Sequence, residues 1–394
     1  MDISQFVHQS NALADEIVAL RRDFHRHPEL GFQEHRTAGV VAEAMTDLDL
    51  EVHTGIAETG IVALMVGGKP GPTVLLRFDM DALPVQEETG APYASTHDGV
   101  MHACGHDGHT AIGITVAKLL HEHRASLPGV VKFVFQPAEE GMGGAERMVA
   151  EGVLENPRPD YSLAMHLWND KPRGWIGIKP GPIMAGAEMF EIVIRGKGGH
   201  GAAPHQAIDP VLAAAQITIA LQSVVSRNVD PRKSAVVSVT QFQAGEAFNI
   251  IPSHAIIRGT IRTFTPEVRD LVLQRVEEVS RGVAKAMGCD TKIEITQLTP
   301  PVVNDHAVAR MLKSLAESMF PEATIDTNEF TMGSEDMAFL MEGIPSAYLF
   351  VGSSDSSRNL DAPHHNPHFD FDEAVLPIAS SLVAASAWRL LEAS

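Results

Sequence analysis

Two regimes of apolar and polar positions succeed one another along the chain. In the first half, short apolar runs at 61–66, 74–78, 130–135 and 162–166 are bounded by glycine, proline or polar residues and read as buried strands. Helical periodicity fills the first 45 residues, including an amphipathic stretch at 12–26. It returns from Asp107 to about His123, with Asp107 or Thr110 near the amino end. Strands alternating with helices predict an α/β sheet covered on both faces. From about Glu188 the texture changes: strand 188–195, helix 210–226, strands 235–242 and 255–264, helix 266–287 and strand 291–298. That β-α-β-β-α-β order is the ferredoxin-like arrangement. Helices at 306–319 and 334–341, a strand at 347–351 and a terminal helix from Asp372 complete the pattern. The expected fold is therefore α/β: an α/β/α domain with a central mixed sheet (1–185 and 300–394), interrupted by a ferredoxin-like α+β domain (186–299). A chain of 394 residues is too long for one ordinary core, which agrees with two domains.

The strand ends carry chemistry. Asp79 and Asp81 follow one strand, Glu139 and Glu140 another, and His166 closes a third. Open α/β sheets bind ligands at that edge, where loops converge on a crevice. The string His102-Ala103-Cys104-Gly105-His106-Asp107-Gly108-His109 adds a thiol and an imidazole two residues apart, with Gly105 allowing a tight turn. Pooled, the candidate ligands are Cys104, His106, Glu140, His166 and one histidine of His364-His365-Asn366-Pro367-His368. One four-coordinate ion with an open position needs three protein ligands, so five point to two ions sharing a thiolate or carboxylate. Two ions about 3.5–4 Å apart can hold a hydroxide and polarise a carbonyl together. Glu139, left over from the acidic pair, then serves as general base. Rival readings are a solvated acidic loop for Glu139-Glu140, a core histidine for His166, and a cysteine nucleophile at Cys104 activated by His106. A non-catalytic metal-binding protein of the same fold is a further alternative. The long Ser/Asp/His-rich loop 352–367 reads as functional.

Composition narrows the partners. Thirty Lys and Arg against 50 Asp and Glu give a formal charge of -20, which repels phosphate backbones and anionic bilayers, so neither nucleic acid nor membrane is expected. An anionic substrate then needs a local basic pocket. No uninterrupted apolar run approaches roughly 20 residues, and without a basic segment leading into an apolar core at the amino end, no secretory signal is expected. Two cysteines build no disulfide framework and suit a reducing, cytoplasmic compartment that keeps Cys104 available as a thiolate.

Five strings taken together resemble one family: Arg-Phe-Asp-Met-Asp-Ala-Leu-Pro (77–84), His-Ala-Cys-Gly-His-Asp-Gly-His (102–109), Gln-Pro-Ala-Glu-Glu-Gly (136–141), Gly-Lys-Gly-Gly-His-Gly-Ala-Ala-Pro-His (196–205) and His-Asn-Pro-His-Phe-Asp-Phe (365–371). They are similar to those of the amidohydrolases that include hippurate hydrolases, aminoacylases and plant auxin-conjugate hydrolases, a branch of the two-metal carboxypeptidases and deacylases. The likeness runs from about Arg22 to Asp372 with the motifs in order. It implies hydrolysis of an N-acyl amino acid to a carboxylic acid and a free amino acid, with two divalent ions per subunit. Zinc or manganese come first, cobalt and nickel next. It implies Cys104 as the bridge, His106, Glu140 and His166 as ligands, His365 as the last ligand, Glu139 as base, and Asp81 as the aspartate that orients a ligand histidine. It further implies that the inserted domain is a dimerisation and lid domain, in a homodimer or higher homo-oligomer. His200 would then reach the partner's site and hold the developing oxyanion. Asn249 and Arg262 match substrate-contacting positions, Arg262 being the fork that could grip a substrate carboxylate, and Gly333 is read as lining the pocket.

Overall fold

The computed structural model describes residues 3–393. Its main sheet has eight strands, in the order Glu51–Ile56, Gly60–Val66, Pro128–Gln136, Lys69–Asp79, Tyr161–Pro172, Ser346–Ser354, Trp175–Gly177 and Thr324–Asp326. The four strands from Pro128–Gln136 to Ser346–Ser354 pair in parallel, while antiparallel partners on either side make the sheet mixed. Parallel strands need cover on both faces, which is why their sequences are near-continuous apolar runs. Val74, Leu75, Leu76, Phe78, Val131, Phe133, Val134 and Phe135 are all buried.

Helices Ala14–Arg26, His106–His121 and Leu376–Leu391 pack together against this sheet. Helix His106–His121 is buried on nearly every side: residues 110–117 are apolar or small, and the polar first turn of His106, Asp107 and His109 is buried in hydrogen-bonded pairs. Gly113 permits the close approach: a Cβ there would stand 2.6 Å from the ring of Phe135 and 2.7 Å from that of Phe78. This contact seats the helix on the strands whose ends carry the acidic residues. Among the described residues one helical stretch, Glu373–Leu391, has the length and hydropathy of a membrane span, but 83 % of its apolar window is buried inside the fold.

The contacts divide the chain into two compact units, one comprising residues up to 181, 303–329 and from 336 onward, the other 182–302 and 330–335. The sequence pattern gave breaks at 185/186 and 299/300 and left 330–335 with the first domain. That segment belongs to the second unit because Thr331 bridges to Met184 and Ala185 donates its N–H to the carbonyl of Gly333.

The second unit holds a four-stranded antiparallel sheet in the order Ala235–Ala244, His254–Thr263, Gly186–Arg195, Asp290–Thr299. The first and third strands occupy the middle, the ferredoxin-like arrangement expected from the pattern. Burial alternates along His254–Thr263, one face lying on the core with helices Pro210–Asn228 and Pro266–Ala286. Both helices start with a side-chain cap, Asp209 and Thr265, followed by proline in the first turn.

Candidate metal centre

Four separate stretches of the first unit deliver the chemistry. Gly105, at φ +90°, turns the chain between Cys104 and the helix that starts at His106. After strand Pro128–Gln136, Ala138 takes φ +53°, a conformation alanine adopts only when its surroundings impose it. Its N–H is held by the buried carboxylate of Glu34 at 2.9 Å, and the N–H of Glu140 by Asp81 Oδ2 at 3.0 Å. His365 is likewise left-handed, at φ +66°, with its N–H donated to the carbonyl of Ala103 at 2.7 Å. The centre is therefore fixed by its own backbone N–H groups, two held by the Glu34 and Asp81 carboxylates and one by the Ala103 carbonyl.

His166 departs from expectation in one respect. The strand does not end there but continues to Pro172, with His166 opposite Phe350 in the ladder. The run of Asn169, Asp170 and Lys171 breaks the apolar pattern without breaking the pairing.

These stretches bring the five expected ligands together. Donor atoms of Cys104, His106 and His166 lie within 4.8 Å of one another, as do those of Cys104, Glu140 and His365, and those of His106, Glu139 and Glu140. Cys104 belongs to the first two groups and Glu139 to the third. The imidazoles are oriented for ligation. His106 donates Nδ1–H to the carbonyl of Asp81 at 2.9 Å, with Asp81 Oδ1 at 3.2 Å, and its Nε2 is buried without a hydrogen-bond partner. His166 donates Nδ1–H to the carbonyl of Leu167 at 2.7 Å, turning Nε2 toward Cys104 Sγ at 3.5 Å. A carbonyl only accepts, so both rings present Nε2 to the centre. An orphaned nitrogen, a soft sulfur shared by two donor groups and a carboxylate in one of them fit a pair of divalent cations.

Electrostatics agree with that fit. The Cys104 sulfur and then the Glu140 carboxylate push His365 up to about 10. Burial works against charge on His106, but the Asp79 carboxylate and Cys104 outweigh it and raise its pKa. A group of acceptors that stabilises protons on imidazoles in this way will also stabilise a cation in their place. Burial holds His166 well below the usual range and raises the Cys104 thiol.

Asp79, expected with the site acids, lies beside His106, in one donor group with it and His109. It accepts from Arg77 Nη1 at 2.7 Å and from His109 Nδ1 at 2.6 Å, while His109 Nε2 accepts the N–H of Leu167. Asp81 holds His106 and Glu140 at once. Asp81→Ala should therefore lower metal affinity by about 10–100-fold, read by competition with a chromophoric chelator. Affinity unchanged within a factor of two would remove that role.

Residues 200, 249, 262 and 333 all lie in the second unit. His200 is exposed, and the two-residue pairing of Gly199–His200 with Ile250–Ile251 places it beside Asn249, whose carbonyl accepts the N–H of Gly201. Arg262 is half-buried and bonds to Thr260 and the Ile261 carbonyl. Gly333 is exposed, and a Cβ there would meet only ordinary contacts.

The sequence reading missed a buried network beside the metal loop. Arg21 donates to Asp107 at 2.7 Å, Asp370 at 2.8 Å and Glu373 at 3.1 Å, and His25 bonds Asp107 Oδ2 at 2.7 Å. The unusual string Arg21-Arg22-Asp23-Phe24-His25 was its only signal: an arginine and a histidine one turn apart on a buried helix face.

Residues 75–389 match the model of peptidase family M20/M25/M40. The chain belongs to that family. It is 40 % identical to an N-acetylcysteine deacetylase of Bacillus subtilis, over 97 % of this chain and 98 % of that protein. It is 38 % identical to the hippurate hydrolase of Campylobacter jejuni, over 96 % and 98 %. Among solved structures, a dinuclear metal-binding peptidase of the M20 family from Bacillus subtilis superposes with a TM-score of 0.86 at 38 % identity, covering 98 % of this chain and all of the other. The M20 chain described here is a metal-dependent amidohydrolase.

Proposed function

We propose that the protein hydrolyses the amide bond of N-acylated amino acids, releasing a carboxylic acid and a free amino acid. The observation that carries this reading is the sharing of Cys104 between two donor groups with Glu139 at their side. Cys104, His106 and His166 would hold one divalent cation, and Cys104, Glu140 and His365 the other. The mixed sulfur, nitrogen and oxygen set favours zinc or manganese, with cobalt and nickel next. When bound, the pair supplies the Lewis acidity that activates water and polarises the amide carbonyl. Glu139 receives the proton and returns it to the departing nitrogen. Asp81 keeps the His106 ring in its ligating orientation. In the second unit, Arg262 would hold the substrate carboxylate as a fork and Asn249 and Gly333 would line its path. His200 would stabilise the oxyanion in a homodimer or higher homo-oligomer. A reducing cytoplasm would keep Cys104 free of disulfides and available as a metal ligand.

The deacetylase and hippurate hydrolase relatives support the substrate class. The test is a panel of benzoyl-, acetyl- and indole-acyl amino acids, run with protein reconstituted in turn with zinc, manganese, cobalt and nickel. At least one conjugate should be cleaved. A chelator should abolish turnover by about 10²-fold or more, with recovery on adding metal. Activity that ignores chelator but disappears on thiol alkylation would replace this reading with a Cys104 nucleophile. No turnover of any conjugate would move the activity to amides of another class.

A further inference from the structure

His364, the neighbour of the proposed ligand His365, has both ring nitrogens accounted for. Its Nε2 accepts the backbone N–H of Asn169 at 3.2 Å. A backbone N–H only donates, so Nε2 carries the lone pair and the proton of the neutral ring sits on Nδ1. Nδ1 faces Cys104 Sγ at 3.9 Å, within reach of an N–H···S bond. Asn169 is itself fixed, donating to the carbonyls of Ala362 and Asp370 at 2.8 and 3.0 Å and accepting from Ser353 at 2.9 Å. Two aromatic rings clamp the imidazole, Trp168 at 5.3 Å and Phe369 at 5.1 Å, both tilted about 35° to it. Its ring edge meets His166 at 5.1 Å. Together these contacts hold the ring with its one N–H toward Cys104.

We propose that His364 is a positioning residue that donates Nδ1–H to the Cys104 sulfur, and so sets the direction and electron density of the thiolate shared by the two donor groups. The proposal rests on the two-metal reading. A sulfur that accepts a hydrogen bond gives less charge to the cations it touches, leaving them better Lewis acids. His364 therefore acts through Cys104 and touches no reacting atom. The tautomer explains why adjacent histidines differ in role: His364 has no nitrogen left for a metal, whereas His365 Nε2 sits 3.0 Å from Glu140 Oε1 in the second donor group.

The experiment uses the full chain loaded with cobalt(II). Wild type should bind two equivalents and show a thiolate-to-cobalt charge-transfer band. Absence of that band would defeat the two-metal reading itself. With the band present, His364→Phe and His364→Gln should retain two cobalt per chain but move it to longer wavelength, with kcat about ten-fold lower. His364→Asn, whose side-chain N–H can take the place of Nδ1–H, should restore the wild-type band. Identical bands in wild type, His364→Phe and His364→Gln would overturn the proposal. If the variants fail to fold, long-range proton–nitrogen correlation spectra of the 15N-labelled, zinc-loaded wild type decide the matter. A proton on His364 Nδ1 supports the bond, and one on Nε2 refutes it.

Discussion

Glu139→Gln should lower kcat by about 10²–10⁴-fold while leaving metal content and folding intact. Glutamine keeps the volume and can still hydrogen-bond, but its amide cannot take up a proton at neutral pH. Glu139 and Glu140 are adjacent, yet only Glu140 shares a donor group with Cys104 and His365; Glu139 stands with His106 and Glu140. Elemental analysis should find the same metal per chain as in wild type. A variant within ten-fold of wild-type kcat would move the proton transfer to another group. Loss of metal would make Glu139 a ligand instead.

Arg21→Met carries the largest expected cost to stability. The arginine is fully buried, packed over the Phe371 ring at 4.3 Å, and charge-paired to Asp107, Asp370 and Glu373. Methionine fills part of the space but removes the one cation that joins all three carboxylates, leaving Asp107 to His25, Asp370 to Tyr93 and Glu373 to Arg22, a loss of about 3–5 kcal/mol. Urea unfolding monitored by circular dichroism at neutral pH measures it, and a change below 1 kcal/mol would show that the network is rearranged rather than broken. The pH dependence has a definite sign. Burial favours the neutral form of Asp107, but Arg21 and His25 outweigh it and hold the carboxyl far below the usual range. That stabilisation is complete above the unfolded carboxyl pKa of about 3.9 and is lost as pH falls toward the folded value. The gap between wild type and Arg21→Met should therefore be widest near neutrality and narrow below about pH 4.

Several parts of this architecture were legible in the residues because they depend on local period. The alternation along residues 254–263 and the apolar runs at 74–78 and 130–135 announce a half-covered and a fully covered strand. Cysteine and imidazole flanking a glycine announce a metal-type loop. Other parts depend on contacts distant in sequence. Tyr161–Pro172 outruns its apolar segment because its partner Ser346–Ser354 continues to pair with it. Arg21 finds its carboxylates at 107, 370 and 373, and no spacing rule links those positions. His364 and His365 are the same chemistry written twice. What separates them is a left-handed backbone at 365 and an amide from Asn169 at 364, neither of which a sequence displays.

The order of the main sheet also governs when the protein can mature. Ser346–Ser354 lies between Tyr161–Pro172 and Trp175–Gly177, so an interior position stays vacant until residues 346–354 have left the ribosome. The ferredoxin-like unit, nearly contiguous at 182–302, closes its own contacts earlier in synthesis. A nascent chain stalled before residue 346 therefore exposes an open apolar edge and lacks His365, making that interval the one in which a chaperone has most to protect.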